Sequence, residues 1–573
     1  MKKIFLKNWH MAILIFISLI ILISHGLYVL ETYQYPEMDE QHYMDMSVGA
    51  YRLLKNPTIQ TPIDIIKLVP FRQSGYSLSI LPFLLVFGIE SSYKIALFLN
   101  GFYYIATIFA IYLIARYFFG KGLSLLSAFT FAVYGFPLFY LHFTYSETAT
   151  TTFVALSILF LLKSNLFVIK KYSLLFGLTL GLGLLTRWVV LIFLAGPLIW
   201  TFYLMIKDKQ ISLKNLFFAI LISVLISFPP YIVNKESFFG FYIKTQLFYG
   251  PLWDMVPSYR KTFISFQSAA YYFKVFEQLT IFFFIPFVLG LLNSLKKAKK
   301  YGFLFLAFFV PYLIFSFGTI IKDDRYIVPI YPSIALLTTI FIESIKKKFF
   351  KKILITLIVL LGIGSFFGGI WGVGPMGQEG LKSVLIPMPI GHPRRIHLTS
   401  MVWPPTKNFS NADKIMDFID RDSKNNNIEK PNIVNAFSFH PVDNALLSIN
   451  KYHREDMFNM QNFVGTTVLT ATQSAEFVIG SFRSADYLIL KKEGSIIDNY
   501  FTKDAYFLSN IFFEFIYSSE KILKDFIEAK RFNIPIDNSY IIIYRRHEES
   551  DDNDLKPLYD FIRRKTLFII NAI

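Results

Sequence analysis

Three carboxylates and three arginines stand where a phosphate could be bound and a hydroxyl deprotonated. Asp39 and Glu40 open a stretch in which Tyr43, Met46, Ala50 and Leu53 recur at helical spacing, so the two acids belong to the first turn of an amphipathic helix. A third acid, Glu147, follows Ser146 at the head of an apolar run. A carboxylate so placed can take the proton of an acceptor hydroxyl or orient that hydroxyl. Asp39 and Glu147 together can also offer oxygen ligands to a divalent cation. Arg72, Arg187 and Arg325 each flank an apolar run, and a guanidinium grips phosphate through paired N–H donors. Tyr43 and Tyr76 are the aromatic, hydroxyl-bearing neighbours available to a substrate there. Plainer readings stay open. Asp39 and Glu147 suit a helix start because of the dipole. Each arginine can be an interfacial anchor, and Arg325 can pair with Asp323 or Asp324.

The elements that must position these residues are membrane helices. Of the 573 residues, 54% are hydrophobic and only 17% charged, and Phe (64) and Tyr (34) are abundant. That is too little polar surface for a soluble protein of this size. Apolar runs fall at about 11–30, 94–115, 122–140, 148–163, 172–187, 188–206, 213–232, 275–295, 302–320, 326–343 and 351–371. A shorter one, 76–88, falls below the ~20 residues a hydrocarbon core requires. It decides the topology. If 76–88 does not cross, Arg116, Lys121, Lys170-Lys171, Lys296 to Lys300 and Lys346 to Lys348 all lie inside, as positive-inside bias demands. The reading is an α-helical polytopic membrane protein with about eleven crossings and a re-entrant or interfacial segment. Its N-terminus is cytoplasmic. The loop 31–93, Glu147, Arg187 and Arg325 then share the outer face. The first run is a retained helix, since no small-residue cleavage site follows it.

After the membrane part (1–371) the composition changes. Residues 372–410 are rich in Gly and Pro and read as a linker. Residues 411–573 read as an extracytoplasmic α/β domain, with a helix over Asn411–Asp422 and strands at Asn432–Phe439, Tyr487–Leu490 and Tyr540–Tyr544. The linker's His392, Arg394, Arg395 and His397 suit a lipid headgroup or a solvated turn. The net charge of +17 sits in turns between apolar runs and reads as a topology signal, not as a nucleic-acid surface. The absence of cysteine excludes disulfides, thiolate metal sites and a cysteine nucleophile. There is no phosphate-loop motif, no paired-His zinc motif and no Gly-x-Ser-x-Gly elbow, and His142 reads as an interfacial side chain.

The ordered set of features resembles the GT-C superfamily of lipid-linked-sugar glycosyltransferases, in the branch of protein O-mannosyltransferases and the lipid A aminoarabinose transferase. The set is a first helix followed by Asp39-Glu40 and Tyr43, a basic residue before a Gly-Tyr segment (Arg72 to Tyr76), and the basic turn ending Phe-Phe-Gly120. Tyr-Ser-Glu147, Leu-Leu-Thr-Arg187 and Arg325-Tyr326 ahead of Pro329 and Pro332 complete it. The likeness covers roughly residues 1–345. Gln73-Ser74 replaces the double proline common in the family after its basic residue, and Glu147 stands where some relatives carry Asp. The resemblance implies a GT-C-like fold and a polyprenyl-phosphate sugar donor. It also implies a lipid, glycan or protein acceptor, an acceptor-deprotonating or acceptor-orienting carboxylate at Asp39, and phosphate binding by Arg72. With the topology, that means sugar transfer at the extracytoplasmic face, with inversion, in a bacterial inner (plasma) membrane. No cofactor is required by the residues, although a divalent cation can be accommodated. The rival readings are a transporter or flippase for lipid-linked sugars and a non-catalytic assembly factor. A transporter would more often show internal repeats, and none is visible.

Overall fold

The structure, a computed structural model, describes residues 2–32, 36, 38–70, 72–208, 212–237, 279, 281–318, 324–371, 384–386, 394–396, 411–435, 458–462, 471–492, 515, 523–534, 539–549 and 552–572. The chain divides into two compact units, drawn essentially from the residues up to Thr406 and from Lys407–Ile573.

The first unit is an integral membrane bundle in which each apolar run folds as helix, since in lipid only internal hydrogen bonds can satisfy the backbone. The runs become α1 (Lys2–Glu31), α5 (Ser92–Ala115), α6 (Lys121–Ala132) with α7 (Gly135–Leu141), α8 (Glu147–Lys163), α9 (Lys170–Thr186), α10 (Val190–Asp208) and α11 (Leu213–Val233). Beyond residues 238–278 follow α12 (Ile281–Lys296), α13 (Ala298–Gly318), a 3-10 turn (Asp324–Ile330) leading into α14 (Tyr331–Ser344), and α15 (Lys348–Trp371). Among the described residues seven of these are long and apolar enough to cross a membrane alone, and the bent pair α6–α7 raises this to eight. The pair bends by 57°. Tyr134 is extended and Pro137 falls in the first turn of α7, where a missing N–H costs nothing, so the helix stops and restarts there. Helices approach closely where side chains are small: a Cβ on Gly177 of α9 would lie 2.3 Å from the Ala219 carbonyl oxygen of α11.

Between α1 and α5 lie α2 (Met38–Lys55), α3 (Thr61–Lys67) and α4 (Gly75–Phe87). The stripe expected on α2 is the buried one: Tyr43, Met46 and Ala50 face the protein and are at most 4% exposed. With 13 residues, α4 is too short to span.

The second unit is a five-stranded sheet in the order β4-β3-β5-β7-β6, formed by β3 (Asn432–Asn435), β4 (Asn459–Asn462), β5 (Tyr487–Lys492), β6 (Phe526–Ile534) and β7 (Ser539–Arg546). Strands β4, β3 and β5 are parallel, and β7 and β6 extend the sheet antiparallel. Helices α16 (Ala412–Asn425), α17 (Ala471–Ser484) and α18 (Asp552–Ala572) accompany it. Ile415, Ile419, Val434, Leu488, Ile542 and Leu558 are wholly buried in their common core. The strand expected to reach Phe439 is described only to Asn435. The segment read as linker carries a two-stranded antiparallel ladder, β1 (Val384–Ile386) against β2 (Arg394–Ile396), each strand too short for its alternation to register in the sequence. The side chains of His392, Arg394, Arg395 and His397 lie outside the described residues.

Candidate functional site

The site begins at the first turn of α2. Glu40 is wholly buried, and its carboxylate accepts from the backbone N–H of Thr144, from the Thr144 hydroxyl at 3.0 Å and from the Tyr93 hydroxyl at 3.3 Å. A buried carboxylate is tolerable only when it is hydrogen-bonded in this way, and the bonds pin α2 to the turn ahead of α8. One helical turn on, the Tyr43 hydroxyl shares a 2.9 Å hydrogen bond with Ser146. The Tyr43 carbonyl accepts from the hydroxyls of Ser47 (2.8 Å) and Ser77 (2.9 Å), which ties α2 to α4. Tyr76 meets Tyr43 edge-on, with ring centroids 5.5 Å apart. Its hydroxyl donates to Asn100 at 3.0 Å, and the Asn100 amide donates to the Phe143 carbonyl at 2.7 Å. Tyr43 and Tyr76 therefore sit side by side against the 143–146 turn.

The charged half adjoins it. Ser146 is the N-cap of α8 but makes no capping bond, so its hydroxyl is committed to Tyr43. Glu147 opens α8, where the dipole favours its charge. Arg187 is the C-cap of α9, an end that favours a cation, and its Nη1 pairs with Glu147 Oε1. The other oxygen, Oε2, is buried and has no hydrogen-bond partner among the described residues. Arg187 also stands over the Tyr326 ring at 5.2 Å, and Arg325 packs on Tyr145 (5.1 Å) and Tyr326 (5.5 Å). Arg72 lies over Tyr43 at 5.8 Å. Gly75 keeps the two halves together: a Cβ there would sit 2.7 Å from the Leu185 carbonyl carbon and the Thr186 amide nitrogen. The loop bearing Arg72 thus rests on the turn that presents Arg187.

Of the residues singled out in the sequence, Glu40, Tyr43, Arg72, Tyr76, Glu147, Arg187 and Arg325 come together at one end of the bundle. Asp39 lies in the same helical turn as Glu40, with its side chain outside the described residues, as are Lys322 and Asp323. The described donors make an incomplete set for a divalent cation. Glu147 has one uncommitted oxygen, and the guanidiniums of Arg187 and Arg325 stand close by. Among the described residues no three His, Asp or Glu side chains cluster. A metal here would have to draw on Asp39 and other residues outside that set.

No protein-family model and no curated protein matches the sequence. Solved structures do. The apo crystal structure of ArnT from Cupriavidus metallidurans superposes with a TM-score of 0.53 at 10% identity, over 93% of this chain and 98% of that one. The chain has the GT-C fold. Two further likenesses have lower scores. ArnT bound to undecaprenyl phosphate gives 0.48 at 11% identity, over 92% of this chain and 97% of that one. The Archaeoglobus fulgidus oligosaccharyltransferase tethered to an acceptor peptide containing the NVT sequon gives 0.49 at 12% identity, over 95% and 74%.

Within this GT-C bundle several site residues carry no signal of their own in the sequence. Tyr93 and Thr144 hold Glu40, and Asn100 holds Tyr76, from 24 to 104 residues away. Tyr145 and Tyr326, quoted above beside Glu147 and Arg325, gain a role only from the arginines found against them. His142, read as interfacial from the sequence, is enclosed by other side chains. It is 1% exposed and stacked on Tyr28 at 3.7 Å and on His25 at 5.4 Å, and neither ring nitrogen has a hydrogen-bond partner among the described residues.

Proposed function

We propose that the chain is a glycosyltransferase that moves a sugar from a polyprenyl-phosphate donor to an acceptor hydroxyl, with inversion, at the extracytoplasmic face of a bacterial inner membrane. The observation that carries this reading is the buried Glu147–Arg187 pair. One carboxylate oxygen is left uncommitted within an arginine- and tyrosine-lined end of the bundle. The GT-C fold supports it. In this reading the acceptor oxygen attacks the anomeric carbon as the bond to the donor phosphate breaks. The acceptor proton passes to Asp39, and the departing polyprenyl phosphate takes the electron pair. Arg72 and Arg325 hold the phosphate and stabilise its growing charge. Glu147 orients the acceptor through Oε2, Arg187 holds Glu147 in place, Glu40 fixes the α2 turn that presents Asp39, and Tyr43 and Tyr76 line the cleft.

The test is transfer in membranes together with extraction of the lipid carrier. Asp39→Asn is expected to lower transfer roughly 10²–10⁴-fold, the usual worth of a general base, and to leave the sugar-loaded carrier to accumulate. Full transfer by Asp39→Asn with loss in Glu147→Gln would move the base to Glu147. Accumulation of the carrier on the cytoplasmic leaflet alone would replace the reading with a flippase.

A further inference from the structure

Away from the polar cluster, α1, α6 and α15 enclose an apolar groove of about 410 Å³ on the bundle surface. Phe16 and Ile20 of α1, Leu125 and Phe129 of α6, and Val359 and Ile363 of α15 are among its walls. Its floor is a close helix contact: a Cβ on Gly362 would lie 2.8 Å from a Val133 methyl and 3.0 Å from the Phe129 ring. The three helices run in the same direction. Trp371 at the end of α15 donates to Ser24 in the later half of α1 at 2.8 Å, and His10 near the start of α1 stacks on Tyr112 at the end of α5, whose short turn leads into Lys121. Their first turns therefore share one membrane face.

That face is cationic. Lys121 opens α6 immediately before the groove residue Gly122, and Lys351 and Lys352 lie one turn before the groove residue Ile355. Lys121 and Lys352 are exposed. No Asp or Glu occurs in residues 2–30, 116–146 or 345–371, so the formal charge at this end of the three helices is positive. From Gly122 to Val133 the groove runs roughly 17 Å along the helix. That is about half of a ~30 Å hydrocarbon core, the depth of one leaflet.

We propose that this groove is a binding site for an anionic glycerophospholipid of the leaflet facing the N-terminal end of α1. One acyl chain fills the groove, and the phosphate lies among Lys121, Lys351 and Lys352. A single-leaflet length fits an acyl chain and is far too short for a polyprenyl tail, and three lysines at the groove's end favour an anionic over a zwitterionic head. The site is separate from the proposed transfer site and does not rest on that reading.

The experiment is native mass spectrometry of the delipidated full-length protein, titrated with phosphatidylglycerol or phosphatidylcholine of identical acyl chains. The wild type is expected to retain phosphatidylglycerol preferentially. Each basic residue near an anionic head is worth roughly five-fold in binding. The triple variant Lys121→Gln/Lys351→Gln/Lys352→Gln should therefore lose on the order of ten-fold or more of phosphatidylglycerol affinity, with phosphatidylcholine unchanged. Gly122→Trp is the steric arm. A Cβ at Gly122 meets nothing within 4 Å, so the new side chain starts in open space at the groove's edge. It should abolish the selective site while the elution volume and melting temperature stay at wild-type values. Equal retention of both lipids by the wild type overturns the proposal, as does selective retention that survives Gly122→Trp. Displacement of phosphatidylglycerol by undecaprenyl phosphate in wild type but not in Gly122→Trp would assign the groove to the polyprenyl carrier, and overturns it too.

Discussion

Two arginine–carboxylate pairs, one in each unit, are built from the same groups and completed differently. In the C-terminal unit, Asp422 near the end of α16 accepts two bonds from Arg545 of β7, at 2.9 and 3.0 Å, and a third from the Tyr487 hydroxyl at 2.7 Å. Tyr487 and Arg545 face each other across the β5–β7 ladder, so one carboxylate caps two neighbouring strands. Burial and the bond to Asp422 push the Tyr487 phenol above its ordinary pKa. Both oxygens of Asp422 are thus accounted for. In the membrane bundle, among the described residues, Glu147 has a single arginine on a single oxygen, and Oε2 is buried without a hydrogen-bond partner. A buried acceptor left unpaired costs about 1–3 kcal/mol. Such a cost is tolerated where a ligand supplies the missing donor. The satisfied pair holds a fold together, and the incomplete one is the feature on which the proposed site rests.

The largest expected effect follows from breaking the incomplete pair. Arg187 and Glu147 are 14% and 2% exposed, so Arg187→Ala strands a carboxylate in the bundle and should cost about 3–5 kcal/mol. The check is thermal unfolding in detergent. Arg187→Lys should recover part of the stability through its charge while recovering less transfer, because an ammonium cannot reproduce the planar fork over Tyr326. If Arg187→Ala melts like the wild type, Glu147 is not a buried anion and the contrast between the two pairs fails.

Breaking the satisfied pair should matter less and elsewhere. Arg545 and Asp422 are 24% and 17% exposed, and water can replace part of what is lost. Arg545→Ala should cost about 1–2 kcal/mol after solvent screening. Hydrogen exchange should show it as faster opening of α16 and β7, with transfer per folded molecule unchanged. A drop in transfer larger than the drop in folded protein would mean that this pair also serves the site.

How far these pairs could be read from the sequence differs with distance along the chain. Arg187 is conspicuous as a lone cation between two apolar runs, and the stripe of Tyr43, Met46 and Ala50 announces which face of α2 is buried. Periodicity gives a face, not a partner. Ser146 lies 103 residues from Tyr43, and Glu147 lies 40 from Arg187. Nothing local specifies either contact. The close rest of Gly75 on the Leu185–Thr186 backbone, which brings the arginine-bearing segments together, is equally invisible in one dimension. In the C-terminal unit, β7 was legible because Tyr-Ile-Ile-Ile-Tyr is a plain strand run. Its neighbour β6 was not, because an irregularity between Glu528 and Lys530 shifts the register and scrambles the alternation that would have disclosed it.

The smallest expected effects compare two tyrosine hydroxyls, one beside each pair. Tyr43→Phe removes the bond to Ser146, and Tyr487→Phe removes the bond to Asp422. Each loss should cost about 1 kcal/mol of stability, the usual net worth of one hydrogen bond, with the larger share at Tyr487 because its acceptor is charged. Their effects on transfer should diverge. Ser146 directly precedes Glu147, so releasing its hydroxyl loosens the turn that aims Oε2. Transfer by Tyr43→Phe should then fall several-fold with the donor KM little changed, as expected for a residue that positions the acceptor. Tyr487→Phe should leave transfer intact. If the two variants lose transfer equally, the hydroxyl at Tyr43 is only another structural bond, and the unpaired oxygen of Glu147 would have to be explained without an acceptor.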